Sequence, residues 1–155
     1  MKNQDYHKPI EILLVEDNPG DIRLARETLD ESKLSNILNV VMDGAEAIKY
    51  LQCEDKYADA STPDVILLDL NLPKKSGMDV LQEIKSDDKL KHIPVVILTS
   101  SKADEDILKT YNLHANCFIT KPVDLNQFIH VVKSIEEFWF TIVKLPPREM
   151  KNEKN

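Results

Sequence analysis

Five side chains in this sequence are of types that could do chemistry together: Glu16, Asp17, Asp69, Thr99 and Lys121. Each stands at the end of a short apolar run: Leu13-Leu14-Val15 leads into Glu16 and Asp17, Ile66-Leu67-Leu68 into Asp69, Val96-Ile97-Leu98 into Thr99, and Phe118-Ile119-Thr120 into Lys121. Carboxylates brought close together repel, and the repulsion raises a pKa or recruits a cation. Mg²⁺ fits such a set, because it takes octahedral oxygen coordination, keeps several waters and uses one or two carboxylates plus a phosphate oxygen. Asp17 and Asp69 suit direct ligation, and the longer Glu16 suits a water-mediated role. Lys121 supplies a positive charge for Asp69 or for an incoming phosphoryl group, and the Thr99 hydroxyl can hydrogen-bond a phosphoryl oxygen. Taken singly, each has a plainer reading. Asp17 could cap a helix starting near Pro19, Thr99 could bond locally, and Lys121 before Pro122 could be a solvated loop lysine. The plainer readings do not explain why all five fall at run ends.

The elements that must position these groups follow from apolar periodicity. Glu11 to Val15, Ile37 to Met42, Asp64 to Leu68, Pro94 to Leu98 and Ala115 to Ile119 read as strands, with longer amphipathic stretches between them. Inner strands that are apolar throughout imply a sheet covered on both faces, so the fold is α/β with a parallel sheet. A first helix starts near Pro19 and carries Ile22, Ala25 and Leu29 inward. A second follows Asp43 and Gly44, and Gly77 opens a third with Val80, Leu81 and Ile84. A fourth spans Ala103 to Tyr111, and Asp124 caps a fifth whose seam is Leu125, Ile129, Val132, Ile135 and Trp139. The polar stretch Cys53 to Thr62 reads as a loop closed by Pro63. In such a sheet ligands bind beyond the carboxyl ends of the strands, which is where the five residues lie.

A chain of 155 residues, 42% hydrophobic, suits one domain. The expected layout is an N-terminal extension over 1–9, the domain over 10–147 with an extended last helix and short arm, and a disordered tail over 148–155. A net charge of −7 argues against a nucleic-acid surface. No membrane-length apolar run or secretory signal is present, and the two cysteines, Cys53 and Cys117, lie in apolar or amphipathic stretches, so a reduced, cytoplasmic setting is expected.

The segments Leu13-Leu14-Val15-Glu16-Asp17-Asn18, Leu67-Leu68-Asp69-Leu70-Asn71-Leu72-Pro73, Gly77, Leu98-Thr99-Ser100 and Thr120-Lys121-Pro122 together resemble the receiver domain of two-component response regulators. The resemblance runs from about Ile10 to Val132. It implies a flavodoxin-like sheet of five parallel strands in order 2-1-3-4-5 flanked by five helices. It further implies that Asp69 accepts a phosphoryl group from a phosphohistidine on a sensor histidine kinase. Glu16, Asp17, Asp69 and the backbone carbonyl of Asn71 would hold Mg²⁺, while Lys121 and Thr99 contact the phosphoryl oxygens. Thr99 and the aromatic at Phe118 would move as a switch. Two residues depart from the commonest pattern: Glu16 stands where many members have Asp, and Phe118 where many have Tyr, which leaves no hydroxyl to bond in the active state. The segment Asn71 to Gly77, the long polar loop before Pro63 and the ending Ile135-Glu136-Glu137-Phe138-Trp139-Phe140 more narrowly resemble the small response regulators that partner cyanobacterial phytochromes. The expected phosphodonor is therefore a light-sensing kinase.

The apolar arc of the last helix is widened by Val131, Phe138 and Ile142, and exposed aromatics of that kind predict a homodimer through this face; the alternative is that Thr141 to Pro147 folds back and covers them within the monomer. The residues after the receiver are too few for a DNA-binding or catalytic output domain. Output is thus expected by binding a downstream regulator or by relay to a histidine phosphotransfer protein. The chain is then a switch that catalyses its own phosphoryl transfer and slow loss, not an enzyme acting on other substrates. A haloacid-dehalogenase-type phosphohydrolase would need a second acid where Asn71 stands, and a flavin-phosphate binder would be repelled by Glu16 and Asp17.

Overall fold

In the computed structural model, residues 9–32, 35–99, 117–121, 124 and 126–130 are described. In chain order they form β1 (Ile10–Val15), α1 (Pro19–Glu31), β2 (Asn36–Val41), α2 (Gly44–Leu51), one turn of 3₁₀ helix (Asp55–Tyr57), β3 (Val65–Asp69), α3 (Gly77–Ser86), β4 (Val95–Thr99) and β5 (Cys117–Thr120). The five strands make one parallel sheet in the order β2-β1-β3-β4-β5. The expected flavodoxin-like order is therefore present. The expected fourth helix, Ala103 to Tyr111, lies outside the described residues. So do the expected interface residues Val131, Phe138 and Ile142 and the terminal tail.

Side chains alternate across the sheet with the two-residue period of a strand. Leu13, Val15, Ile66, Leu68 and Ile97 pack on one face with Ala47 and Leu51 of α2 and Val80, Leu81 and Ile84 of α3. Ile12, Leu14, Leu67 and Leu98 pack on the other with Ala25 and Leu29 of α1 and with Phe128. Each fully buried Leu or Ile is worth about 1.5–3 kcal/mol relative to exposure. A slip of one residue would exchange the faces of a whole strand, so both cores together fix the register and hence which residues stand at the strand ends. β1, β3 and β4 are buried almost end to end, while the edge strand β2 leaves Ile37 exposed.

Local signals start the helices. Asn18 caps α1 by accepting from the Asp21 amide at 3.0 Å, with Pro19 in the first turn. Asp43 caps α2 through the Glu46 amide at 2.8 Å, and Ser76 caps α3 through Asp79 at 3.2 Å. Residues 126–130 are helical, and Asp124 accepts from the Gln127 amide at 3.0 Å, as its position before that segment suggested. There Phe128 is buried deepest and Ile129 only half-buried. The predicted seam omitted Phe128, whose ring packs in one cluster with Leu14, Leu67 and Ile119; its members Leu125, Val132, Ile135 and Trp139 lie outside the described residues.

The stretch before β3 is less plain than a loop. Tyr57 of the 3₁₀ turn packs at a tilt against Tyr50 with ring centroids 5.2 Å apart, and its hydroxyl donates to Glu46 at 2.6 Å. Cys53 and Asp55 take left-handed φ of 57° and 54° to make that return. Cys53 is an exposed free thiol.

Candidate functional site

The strand ends bring Glu16, Asp69, Thr99 and Lys121 to one edge of the sheet. Glu16 follows β1 directly and is held by a bond from its own amide to the Val41 carbonyl at 3.0 Å. Asp69 is the last residue of β3, opposite Leu98, and Thr99 is the last of β4, opposite Thr120. The Lys121 amide donates to the Thr99 carbonyl at 2.8 Å, extending the ladder by one rung and fixing the root of the lysine. The predicted run ends prove to be the final strand residues themselves at Asp69, Thr99 and Thr120. The acids and the threonine are therefore anchored by strand hydrogen bonds rather than carried on loops.

Burial separates the acids. Glu16 is 1% exposed and the Asp69 side chain 5%, while Asp17 is the most exposed of the three. A carboxylate oxygen from each lies within 4.8 Å of the others. Asp69 Oδ1 accepts from the Asn71 amide at 3.1 Å, which pins the carboxylate and turns the chain toward α3. Its other oxygen, Oδ2, accepts from Lys121 Nζ at 3.0 Å. Glu16 Oε2 accepts from the Asn18 amide at 3.2 Å. Glu16 Oε1 stands 2.8 Å from Lys121 Nζ, yet it is fully buried and no donor is directed at it. That contact is a charge pair without hydrogen-bond alignment, so the oxygen keeps coordinating capacity.

Sequence reasoning missed a fourth acid. Asp21, in the first turn of α1, accepts from Lys121 Nζ at 2.9 Å. An acid in the first turn is ordinarily explained by the helix dipole, which hid it. The usable signal was its place in the first turn of a helix that begins only three residues after Glu16, so that its side chain starts close to the strand ends. The helix-capping alternative for Asp17 does not hold, because Asn18 makes that cap.

Burial pushes the Glu16 carboxyl up from its ordinary value to about 7; the nearby Asp69 adds to the rise and Lys121 opposes it. Burial alone would lower Lys121, but Glu16, Asp21 and Asp69 outweigh it and hold the ammonium well above its ordinary range. Lysine therefore stays charged across the physiological range, and Glu16 is the group that titrates.

A donor set made only of oxygens, with a buried carboxylate oxygen that nothing is directed at, fits a hard divalent cation such as Mg²⁺ or Mn²⁺ and not a soft one. A bound cation must displace the Glu16 proton, which the folded protein retains between the ordinary value and about 7. The folded form binds that proton more tightly than the unfolded, so this group favours the metal-free fold as pH falls and favours the metal as it rises. Mg²⁺ affinity by titration calorimetry is expected to drop by about tenfold between about pH 8 and about pH 6, and the drop should vanish in Glu16→Gln.

The family model described as "Response regulator receiver domain" matches residues 12–133. The chain belongs to the response regulator receiver family. It is 44% identical to the response regulator Rcp1 of Synechocystis sp. over 93% of this chain and 98% of that one. The solved structure of the phosphorylated cyanobacterial phytochrome response regulator RcpA superposes with a TM-score of 0.71 at 53% identity, covering 87% of this chain and 96% of that chain. The Mn²⁺-bound form of Rcp1 superposes with a TM-score of 0.69 at 46% identity, covering 84% and 94%. As a receiver domain, the chain is a phosphorelay signalling component. Among the described residues, no helix is long and apolar enough to cross a membrane.

Proposed function

We propose that Asp69 is the phosphoacceptor of this receiver and that the phosphodonor is a phytochrome-type sensor histidine kinase. One observation carries the chemistry: a buried carboxylate at the end of β3 is held between a lysine ammonium at 3.0 Å and a backbone amide at 3.1 Å, with two further acids close by. The similarity to the Rcp1 and RcpA proteins, the second of them described as a phytochrome response regulator, supports the partner.

In the proposed step a carboxylate oxygen of Asp69 attacks the phosphorus of a phosphohistidine. The P–O bond forms as the P–N bond breaks, its electron pair stays on the imidazole nitrogen, and an acyl phosphate remains on Asp69. Glu16, Asp17, Asp69 and the Asn71 carbonyl would hold Mg²⁺, which when bound neutralises charge on the phosphoryl oxygens. Lys121, bonded to the Asp69 carboxylate at 3.0 Å, would contact one phosphoryl oxygen, and Thr99, buried at the end of β4, offers its hydroxyl to another. Phe118, half-buried and paired with Ile97 in register, packs against the α2/α3 face of the core as the second switch residue. Output is by protein contact, with a homodimer through Val131, Phe138 and Ile142 and a downstream regulator or histidine phosphotransfer protein as the partners proposed from sequence.

The test uses acetyl phosphate as donor. With Mg²⁺ the chain is expected to gain an acid-stable, base-labile phosphoryl adduct by intact mass, and excess chelator should reduce its formation rate by at least about a hundredfold, the scale of a lost charge-neutralising ion. Absence of an adduct with Mg²⁺ present would leave only a docking role.

A further inference from the structure

A lysine ammonium has three N–H donors and no more. In this chain two of them are directed at acids, Asp21 Oδ2 at 2.9 Å and Asp69 Oδ2 at 3.0 Å, and a third acid, Glu16 Oε1, holds the ammonium by a charge contact at 2.8 Å. An ammonium drawn in by three acids meets a phosphoryl oxygen most readily when one of those partners gives way. Glu16 is sealed at 1% exposure, and giving up Lys121 would strand a buried charge, while Asp69 is the reacting group itself. Asp21 is 35% exposed, belongs to α1 rather than to a strand end, and can exchange the lysine for water at little cost. It is also a carboxylate at the rim, one more negative charge in the path of an anionic donor.

We propose that Asp21 is a positioning residue that restrains phosphorylation: it draws the Lys121 ammonium toward α1 and competes with the phosphoryl group for it. This rests on the phosphoacceptor reading of Asp69. Its loss frees one lysine donor and removes one repulsive charge, and both changes act in the same direction. Asp21 itself is not one of the acids proposed to hold the cation, but it shares Lys121 with two of them, so cation saturation must be matched between variants.

The variants Asp21→Asn and Asp21→Glu separate charge from shape. With acetyl phosphate as donor and Mg²⁺ saturating for each protein, as fixed beforehand by calorimetry, Asp21→Asn is expected to phosphorylate about three- to tenfold faster at low ionic strength, chiefly through a lower half-saturating donor concentration. The gain should shrink toward onefold at about 1 M salt, where charges a few ångströms apart in partial contact with water are screened. Asp21→Glu should return the rate to near that of the natural chain. A merely structural role for Asp21 would produce none of this salt dependence, and unfolding midpoints of the three proteins confirm that each is folded. An Asp21→Asn rate that is unchanged or slower, or a gain that is indifferent to salt, overturns the proposal while leaving Asp69 as acceptor. If the natural chain itself takes no phosphoryl group, the acceptor reading fails first and this inference goes with it.

Discussion

Replacing Asp69 with asparagine is expected to give a folded protein that takes up no phosphoryl group, measured as complete loss of the adduct by intact mass. The side chains are nearly the same shape, and the Asn oxygen can still accept from the Asn71 amide, which is bonded to Asp69 Oδ1 at 3.1 Å. What is lost is the anionic nucleophile. The amide nitrogen would also face Lys121 Nζ, where two donors meet at a position now 3.0 Å from a carboxylate oxygen, so the lysine should lean further toward Glu16 and Asp21. Neither of the other two acids that follow β1 can substitute. Glu16 is buried with one oxygen engaged by the Asn18 amide, and Asp17 has no contact to Lys121. Folding stability should change by only about 1–2 kcal/mol, because removing one of several crowded negative charges offsets the lost pairing with lysine. An adduct that survives in Asp69→Asn at the natural level would place the nucleophile elsewhere and sink the assignment.

The same residue shows why so much of the site could be read from sequence. A parallel sheet buried on both faces demands strands that are apolar from end to end, so the first polar residue after each run is forced to the edge where the crevice lies. Asp69, Thr99 and Lys121 announce themselves by interrupting such runs. The cap at Asp124 was legible for a similar local reason, since one side-chain oxygen answers one amide a few residues on. Asp21 was not legible, because a first-turn acid already has a sufficient local explanation and its partner lies 100 residues away. Nor was the 3₁₀ turn at Asp55–Tyr57, where Tyr57 packs at a tilt against Tyr50, a contact that no apolar period records. Long-range contacts of this kind leave no periodic trace.

The contact between α2 and the segment joining β3 to α3 belongs to the same class. Lys74 takes a left-handed φ of 66°, and its ammonium stands 3.6 Å from Asp43, the cap of α2. Beside it, a Cβ on Gly44 would fall 1.9 Å from the Lys75 carbonyl oxygen. The segment carrying Asn71 is thus clamped on one side by α2. On the other it is closed by the Gly77 amide, which donates to the Leu70 carbonyl at 3.0 Å. The loop that would offer the Asn71 carbonyl to a cation is held by backbone proximity more than by charge, since the Lys74 ammonium is largely solvent-exposed and stands 3.6 Å from the Asp43 carboxylate, a pair worth about 1 kcal/mol or less.

Gly77→Ala is accordingly expected to be among the most damaging single-methyl changes in the chain. A Cβ there would sit 2.3 Å from the Asp69 carbonyl oxygen and 2.5 Å from Leu70 Cα, and both are backbone atoms with no rotamer to escape into. α3 must back away from the end of β3, or the Asp69 peptide must move. Retreat of α3 would loosen Val80, Leu81 and Ile84 from the sheet, all of them fully buried. Overpacking of this kind costs about 1–3 kcal/mol and more where backbone must shift, so a loss of about 3 kcal/mol or greater in urea unfolding is expected. If the peptide moves instead, stability is partly spared and the Asp69 carboxylate is displaced from Lys121, so the phosphorylation rate falls. Gly20→Ala is the control, because its nearest neighbour is the Asn18 side chain at 3.2 Å on an exposed turn. It should lie within about 1 kcal/mol of the natural chain, helped by the better helix propensity of alanine. A Gly77→Ala protein as stable and as readily phosphorylated as Gly20→Ala would show that α3 does not bear on the acceptor strand as closely as these distances require.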